Sequence, residues 1–248
     1  MTAPARRQVL QALSGLLLAL FVSTLSSTVV STAPAILGSL AAGTAMYGAA
    51  VFLSQYFQVS RARTPTEAGL LTIPMMAGIL VSSVVAGRRI SRTGRLKPFL
   101  VTGAVSLTAG FAGLGLVDER TPLLFIGVAM LLIGIGVGMT LQNFVLVVQN
   151  AVPLRDIGAA GATVSFFRSL GGTIGVAVLG AVLARQVADR TAAGDPPPVA
   201  YGAATGHIFA ISAGVALLGV LTAVLLKPVS LRDSLDLPDA AKKPADVT

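Results

Sequence analysis

The chain of 248 residues is 54% apolar and 11% charged, lacks cysteine and tryptophan, and has a mean hydropathy of +0.83. A soluble domain keeps about a quarter of its residues charged to wet its surface, so most of this chain has lipid as its solvent, which argues against a soluble enzyme or a nucleic-acid module. The net charge of +8 needs a positional reading before it suggests a polyanion, and without cysteine there is no disulfide framework, thiol chemistry or Cys-ligated metal.

Between Arg7 and Arg61 lie 53 uncharged residues, ~80 Å of helix and enough for two crossings of a ~30 Å core. They predict a first span over 10–32 and a second over 44–59, with Pro34 and the small-residue stretch 38–43 as the turn between them. A third span covers 68–86 and stops at the arginine-rich segment 88–97. The fourth, 99–117, stops at Asp118, Glu119 and Arg120; the fifth, 122–148, is closed by the polar segment 150–156. A sixth occupies 157–183, followed by a polar loop containing Asp195 and prolines 196–198. The last, 208–226, leads into a Lys-, Pro- and Asp-rich tail expected to be disordered. The apolar runs are continuous and show no period-two alternation, so the expected fold is all-α, a polytopic transmembrane bundle of about seven helices rather than a barrel. Gly134 and Gly138, and Gly171 and Gly175, recur at four-residue spacing. That spacing lets helix backbones approach closely in lipid, or it reflects a glycine-rich composition.

Placing the five cations of the 88–97 loop in the cytoplasm also places Arg155 and the carboxyl tail there, ten Lys and Arg in all, and turns the loops after spans two, four and six outward. The amino tail with Arg6 and Arg7 then lies outside, against its own charge, if the first span crosses. The reverse arrangement exports the ten cations. A strained, re-entrant or peripheral opening span is preferred. A signal peptide with Arg6 and Arg7 ahead of an apolar core and a cleavage-like Ala33-Pro34-Ala35 is the alternative.

A charge at bilayer depth costs at least ~2.5 kcal/mol and needs a reason. Arg168 lies twelve residues past Asp156, ~18 Å into the sixth span. It is either a cation facing a central cavity or an arginine capping carbonyls of a neighbouring helix. Gln142, Asn143 and Gln149 on span five suit a polar cavity lining or interhelical hydrogen bonds; Gln142 and Gln149, seven apart, share a face. Gln55 and Gln58 read as interfacial, and His207 sits at the outer end of the last span, as an interfacial residue or a relay. No Asp or Glu falls within a span as drawn, so no proton carrier is evident. Enzyme motifs are absent, and the run Gly134-Ile-Gly136-Val-Gly138 lies in an apolar span with no strand before it to form a dinucleotide fold. Neither a metal nor a cofactor is expected.

Several segments carry a family resemblance in order and spacing: 48–58 (GAAVFLSQYFQ), 64–71 (TPTEAGLL), 87–95 (GRRISRTGR), 149–158 (QNAVPLRDIG) and 166–175 (FFRSLGGTIG). Residues 43–185 thereby resemble the carboxyl-terminal six helices of a major facilitator superfamily transporter, specifically of the fourteen-span drug:proton antiporters. Residues 25–34 resemble that family's first span, with Ser26 in place of its acidic residue and one leucine missing before Pro34.

The resemblance implies that helix one is joined directly to helices nine to fourteen by an internal deletion, which also accounts for the inverted amino tail. It divides the chain into residues 1–40, an amino tail and first-span-like helix; 41–227, a six-helix bundle; and 228–248, a cytoplasmic tail. It also implies a multi-pass protein of the plasma membrane, with small amphipathic substrates, protons and a bilayer as partners and no nucleic acid. A second half, from a homodimer or a separate amino-half chain, would be needed. Non-transporting alternatives are a deletion remnant or a scaffold for an intact relative. Gly87, Arg88, Ser91, Arg92, Gly94 and Arg95 resemble the superfamily's cytoplasmic loop motif, with Ser91 at its Asp position. The glycines there would allow a tight turn, and the arginines would cap helices, pair across the interface between halves, or anchor the loop inside.

Overall fold

The computed structural model describes residues 36–225 apart from residue 153. The expected first span, the turn at Pro34 and the carboxyl tail lie outside the described residues. Within them the chain is all-helical: α1 (Ile36–Val59), α2 (Pro65–Leu71), α3 (Ile73–Thr93), α4 (Lys97–Leu114), α5 (Leu123–Ala151), α6 (Ile157–Ala192) and α7 (Pro197–Leu225). With α2 and α3 counted as one rod from Pro65 to Thr93, six helices are long and apolar enough to cross a membrane.

The helix boundaries follow local punctuation. Thr64 caps α2: its hydroxyl accepts from the Glu67 amide at 3.3 Å, and the Glu67 carboxylate accepts from the Thr64 amide at 2.9 Å. Pro65 stands at the first helical position, where a missing N–H has no consequence. Gly94 closes α3 at φ 65°, in the left-handed conformation that glycine adopts without a Cβ penalty, with its amide donating to the Ile90 carbonyl at 2.8 Å. Gly194, at φ 100°, turns α6 into α7, whose first two residues are Pro197 and Pro198.

Four expected boundaries are corrected. Residues 38–43 are helical, not a turn, because their small side chains form a packing face: a Cβ on Gly38 would strike the Phe144 ring and one on Gly43 the Arg168 carbonyl. The third span continues through Arg88, Arg89 and Arg92, all exposed, since cations at a helix carboxyl end complement its dipole and reach out to water. The sixth runs on to Ala192, carrying Arg185, Asp189 and Arg190 on helix rather than loop. The last begins at Pro197, so His207 is its eleventh residue and ~15 Å in from that end.

Helix α5 is held between α3 and α4 by glycines on two of its faces. Gly134 and Gly138 meet Met75, Gly78, Ile79 and Ser82 of α3, while Gly136 meets Gly103 and Leu107 of α4. Hydroxyls tie the same crossings: Ser83 donates to the Gly138 carbonyl at 3.2 Å and Ser106 to the Leu132 carbonyl at 2.9 Å. On its other side α4 packs against α7, with the Phe111 and Phe209 rings 6.0 Å apart and Gly206 against the Val117 carbonyl. α1 lies against α6 and α7. Among the described residues every buried side-chain N or O atom has a hydrogen-bond partner, as a spanning structure requires. Large apolar side chains such as Leu80 and Val84 on α3 and Ile174 and Val178 on α6 are exposed, a surface suited to acyl chains and not to water.

Candidate functional site

The closest helix approach near Arg168 is between α6 and α1. A Cβ at Gly171 would lie 2.5 Å from the Leu40 carbonyl oxygen, one at Gly172 would enter the Tyr47 ring, and one at Gly175 would strike Thr44. The Thr44 hydroxyl donates to the Gly171 carbonyl at 2.8 Å and to Leu40 O, on its own helix, at 3.1 Å. One turn before Gly171, Arg168 is half-buried, its stem and its own carbonyl against Gly43. Its guanidinium forms no ion pair or hydrogen bond among the described residues, so no neighbouring carbonyl is capped by it there.

The three polar residues of α5 have different surroundings. Asn143 is buried, and its amide donates to the Met139 carbonyl four residues back at 2.5 Å. Gln142 is exposed. Gln149 is half-buried, with its Nε2 3.1 Å from where a Gly161 Cβ would stand on α6. No hydrogen bond joins any two of Arg168, Gln142, Asn143 and Gln149 among the described residues. The shared face of Gln142 and Gln149 does not give them a shared environment, because only the second reaches the α5–α6 contact.

The 87–95 motif is mostly helix. Gly87 is an exposed residue of α3 with nothing within 4 Å of an added Cβ, and the Ser91 hydroxyl donates to the Gly87 carbonyl at 2.9 Å. Only Gly94 makes the turn. Arg88, Arg92 and Arg95 are exposed and join no ion pair among the described residues. The ends of the bundle differ in charge. Among the described residues, the end bearing this motif carries Arg88, Arg89, Arg92, Arg95, Lys97 and Arg155 against Asp156. At the other, Arg61, Arg63, Arg120, Arg185 and Arg190 are balanced by Glu67, Asp118, Glu119, Asp189 and Asp195.

At the balanced end the structure assembles a polar cluster that the sequence did not suggest. The Tyr56 hydroxyl donates to the Asp118 carbonyl at 2.6 Å and accepts from Arg61 Nε at 2.8 Å, while a second guanidinium nitrogen of Arg61 donates to the Thr121 carbonyl. Ser60 donates to the Pro198 carbonyl at 2.9 Å, joining α1 to α7. The Thr121 hydroxyl, followed by the Arg120 amide, holds the Asp118 carboxyl below the usual carboxylate range. A depressed pKa contributes stability at neutral pH that is lost as pH falls through it, so protonation of Asp118 in acid weakens this turn. The bonds from Tyr56 to Asp118 and from Arg61 to Thr121 join residues 62 and 60 positions apart, and no local signal marks them. Tyr56→Phe is expected to leave the bundle folded but lower its stability by about 1–2 kcal/mol, the cost of one buried hydroxyl with two partners, as a lower melting temperature in detergent.

Beside this cluster, α1, α6 and α7 leave an open cleft of about 680 Å³, lined by Val51, Phe52 and Gln55, by the Gly180 face of α6, and by Tyr201. The Tyr201 hydroxyl donates to Gln55 Oε1 at 2.7 Å.

Six apolar helices, packed through glycine and closed by short polar turns, define a multi-pass integral membrane protein. The sequence profile of the Major Facilitator Superfamily matches residues 16–248. An uncharacterized MFS-type transporter of Mycobacterium tuberculosis is 31% identical over 226 residues, covering 81% of this chain and 33% of that protein. A tetracycline resistance determinant of Streptomyces rimosus is 30% identical over 141 residues, 57% of this chain and 41% of its own length. A multidrug transporter protein of Bacillus subtilis is 31% identical over 138 residues, 56% and 25% respectively. The chain belongs to the major facilitator superfamily and spans about a third of the length of the curated relatives it matches.

Proposed function

We propose that residues 41–227 form the carboxyl-terminal six-helix half of a drug-efflux transporter of the fourteen-span drug:proton antiporter type, exporting small amphipathic compounds across the plasma membrane against protons. The observation that carries this reading is the match to a tetracycline resistance determinant and to a multidrug transporter protein, each about two and a half to four times the matched length. Facilitator transport rocks two halves about a midplane site, so one bundle cannot alternate access around itself. A second half, from another copy or a separate amino-half chain, completes the path. Residues 1–40 then descend from the family's first span, joined to the ninth by an internal deletion.

Expressed by itself, the 248-residue chain is expected to give background efflux of cationic dyes, rising with a proton gradient once an amino-half chain is co-expressed. Robust proton-dependent efflux by a demonstrated monomer would sink the requirement for a second half. A second reading, a remnant or scaffold that binds an intact relative without transporting, is favoured by one observation: among the described residues no carboxylate lies deep in a span, Glu67 and Asp189 being in terminal turns. Co-purification with the intact relative, and no efflux with any second half, would establish it.

The charge asymmetry supports a cytoplasmic location for the arginine-rich end. In a chain without native cysteine, Ser91→Cys is expected to resist an impermeant maleimide in intact cells and react after permeabilisation, while Arg120→Cys reacts from outside.

A further inference from the structure

The cleft between α1, α6 and α7 has a polarity gradient along the membrane normal. All its lining residues lie within spanning helices, and none of those described is a Lys, Arg, Asp or Glu. Its polar groups, Gln55, Thr191 and Tyr201, gather at the loop end; Val176, Gly180 and Leu183 form the deep end. From Val176 to Thr191 along α6 is ~22 Å, against ~15 Å for the hydrocarbon of one leaflet. The cleft therefore reaches from the ester level down through one leaflet. Gly180 and Ala184 leave the floor open, since a Cβ on Gly180 would stand 3.9 Å from the Phe52 ring. At the rim Tyr201 occupies Gln55 Oε1, which leaves the Gln55 amide N–H groups without a partner among the described residues. These exposed donors can meet a neutral carbonyl acceptor at the rim.

We propose that this cleft is a lipid site, holding one phospholipid of the leaflet at the Asp118 end, with an acyl chain laid along Gly180 and Ala184 and an ester carbonyl accepting from the Gln55 amide. The walls carry no Lys, Arg, Asp or Glu, which matches an uncharged acyl chain and ester better than a cationic ligand. A volume of about 680 Å³ lies within the usual ~300–1,000 Å³ for a bound small molecule and accommodates one acyl chain with its ester.

The test uses the full chain in nanodiscs of phosphatidylcholine doped with a phosphatidylcholine bearing a diazirine in mid-chain, with adducts mapped by mass spectrometry after illumination. Adducts are expected to concentrate on residues 176–188, about tenfold above the exposed α3 face around Leu80 and Val84. Gly180→Leu, which fills the floor, is expected to reduce them about tenfold, and Gly180→Ala, with room for its methyl, to retain them. Size-exclusion profiles matching the parent chain establish that both variants are folded. Equal labelling of all lipid-exposed faces, or undiminished labelling of folded Gly180→Leu, would overturn the proposal. So would labelling of this segment by a neutral photoreactive benzophenone and not by the phospholipid, which would make the cleft a small-molecule site.

Discussion

Gly134→Leu is expected to prevent the bundle from assembling, giving little membrane-inserted protein and an aggregated profile in mild detergent, whereas Gly87→Leu, about one helical turn beyond Ser83 at the end of the same α3 contact, gives parental yield and profile. A Cβ at Gly134 collides with the Met75 carbonyl and comes within 3.1 Å of the Gly78 Cα, both backbone atoms, so relief requires moving a whole helix. Overpacking a core that can still shift side chains costs ~1–3 kcal/mol. Here there is no side chain to shift, and α5 is held on its opposite face by Gly136 against Gly103 and Leu107, so the cost exceeds that range. The contact also cannot be replaced by hydrophobic collapse, because lipid is as apolar as the helix faces and close van der Waals packing is what holds them together. Gly87 has nothing within 4 Å of an added Cβ. A well-behaved Gly134→Leu protein would show that α3 and α5 do not approach at this point.

Arg168→Ala, assayed with a second half supplied, is expected to lower dye efflux at least tenfold, about 1.4 kcal/mol or more of lost interaction, while leaving the melting temperature within a few degrees of the parent. The α1–α6 crossing is made by the Arg168 backbone carbonyl against Gly43, by Gly171 against Leu40 and by the Thr44 hydroxyl; alanine keeps all three. What it removes is a cation with no carboxylate partner among the described residues, placed where a bare charge is costly. Arg168→Lys keeps the charge but loses the planar donor fork, and retained activity in that variant indicates a charge requirement. Loss of thermal stability in Arg168→Ala with efflux intact would assign the residue to packing.

Much of the architecture was legible because its causes are local. Charges and turn residues mark where a helix leaves the membrane, as Asp118, Glu119 and Arg120 do between α4 and α5 and Arg155 and Asp156 between α5 and α6, whereas the starts at Pro65 and Pro197 and the stop at Gly94 fell outside the spans that composition predicts. The same cues misled where glycine serves packing and not turning. Residues 38–43 look like a break and are helix, and Gly87 looks like part of a tight turn and is helix too. Local composition cannot separate these uses, because a small residue is demanded equally by a positive φ and by a neighbouring helix at contact distance.

The polar candidates show the same limit. Asn143 and Gln142 are adjacent, yet one is buried and bonded within its own helix and the other is exposed. Their roles depend on which neighbour fills the space beside α5. Tyr56 with Asp118, and Gln55 with Tyr201, are partners across 62 and 146 residues, and no spacing rule connects them.

By itself the sequence determined the solvent, the helical class, the approximate spans and the charge difference between the two ends, since each is a sum over local residue preferences for water, lipid and backbone conformation. The tertiary structure alone decided which glycines touch which helices, where Arg168 rests, and that α1, α6 and α7 leave a cleft open toward one end. Those features are distances between segments far apart in the chain. In a bundle whose faces are all apolar they are set by the shape fit of small residues, which the order of residues records without saying which surfaces meet.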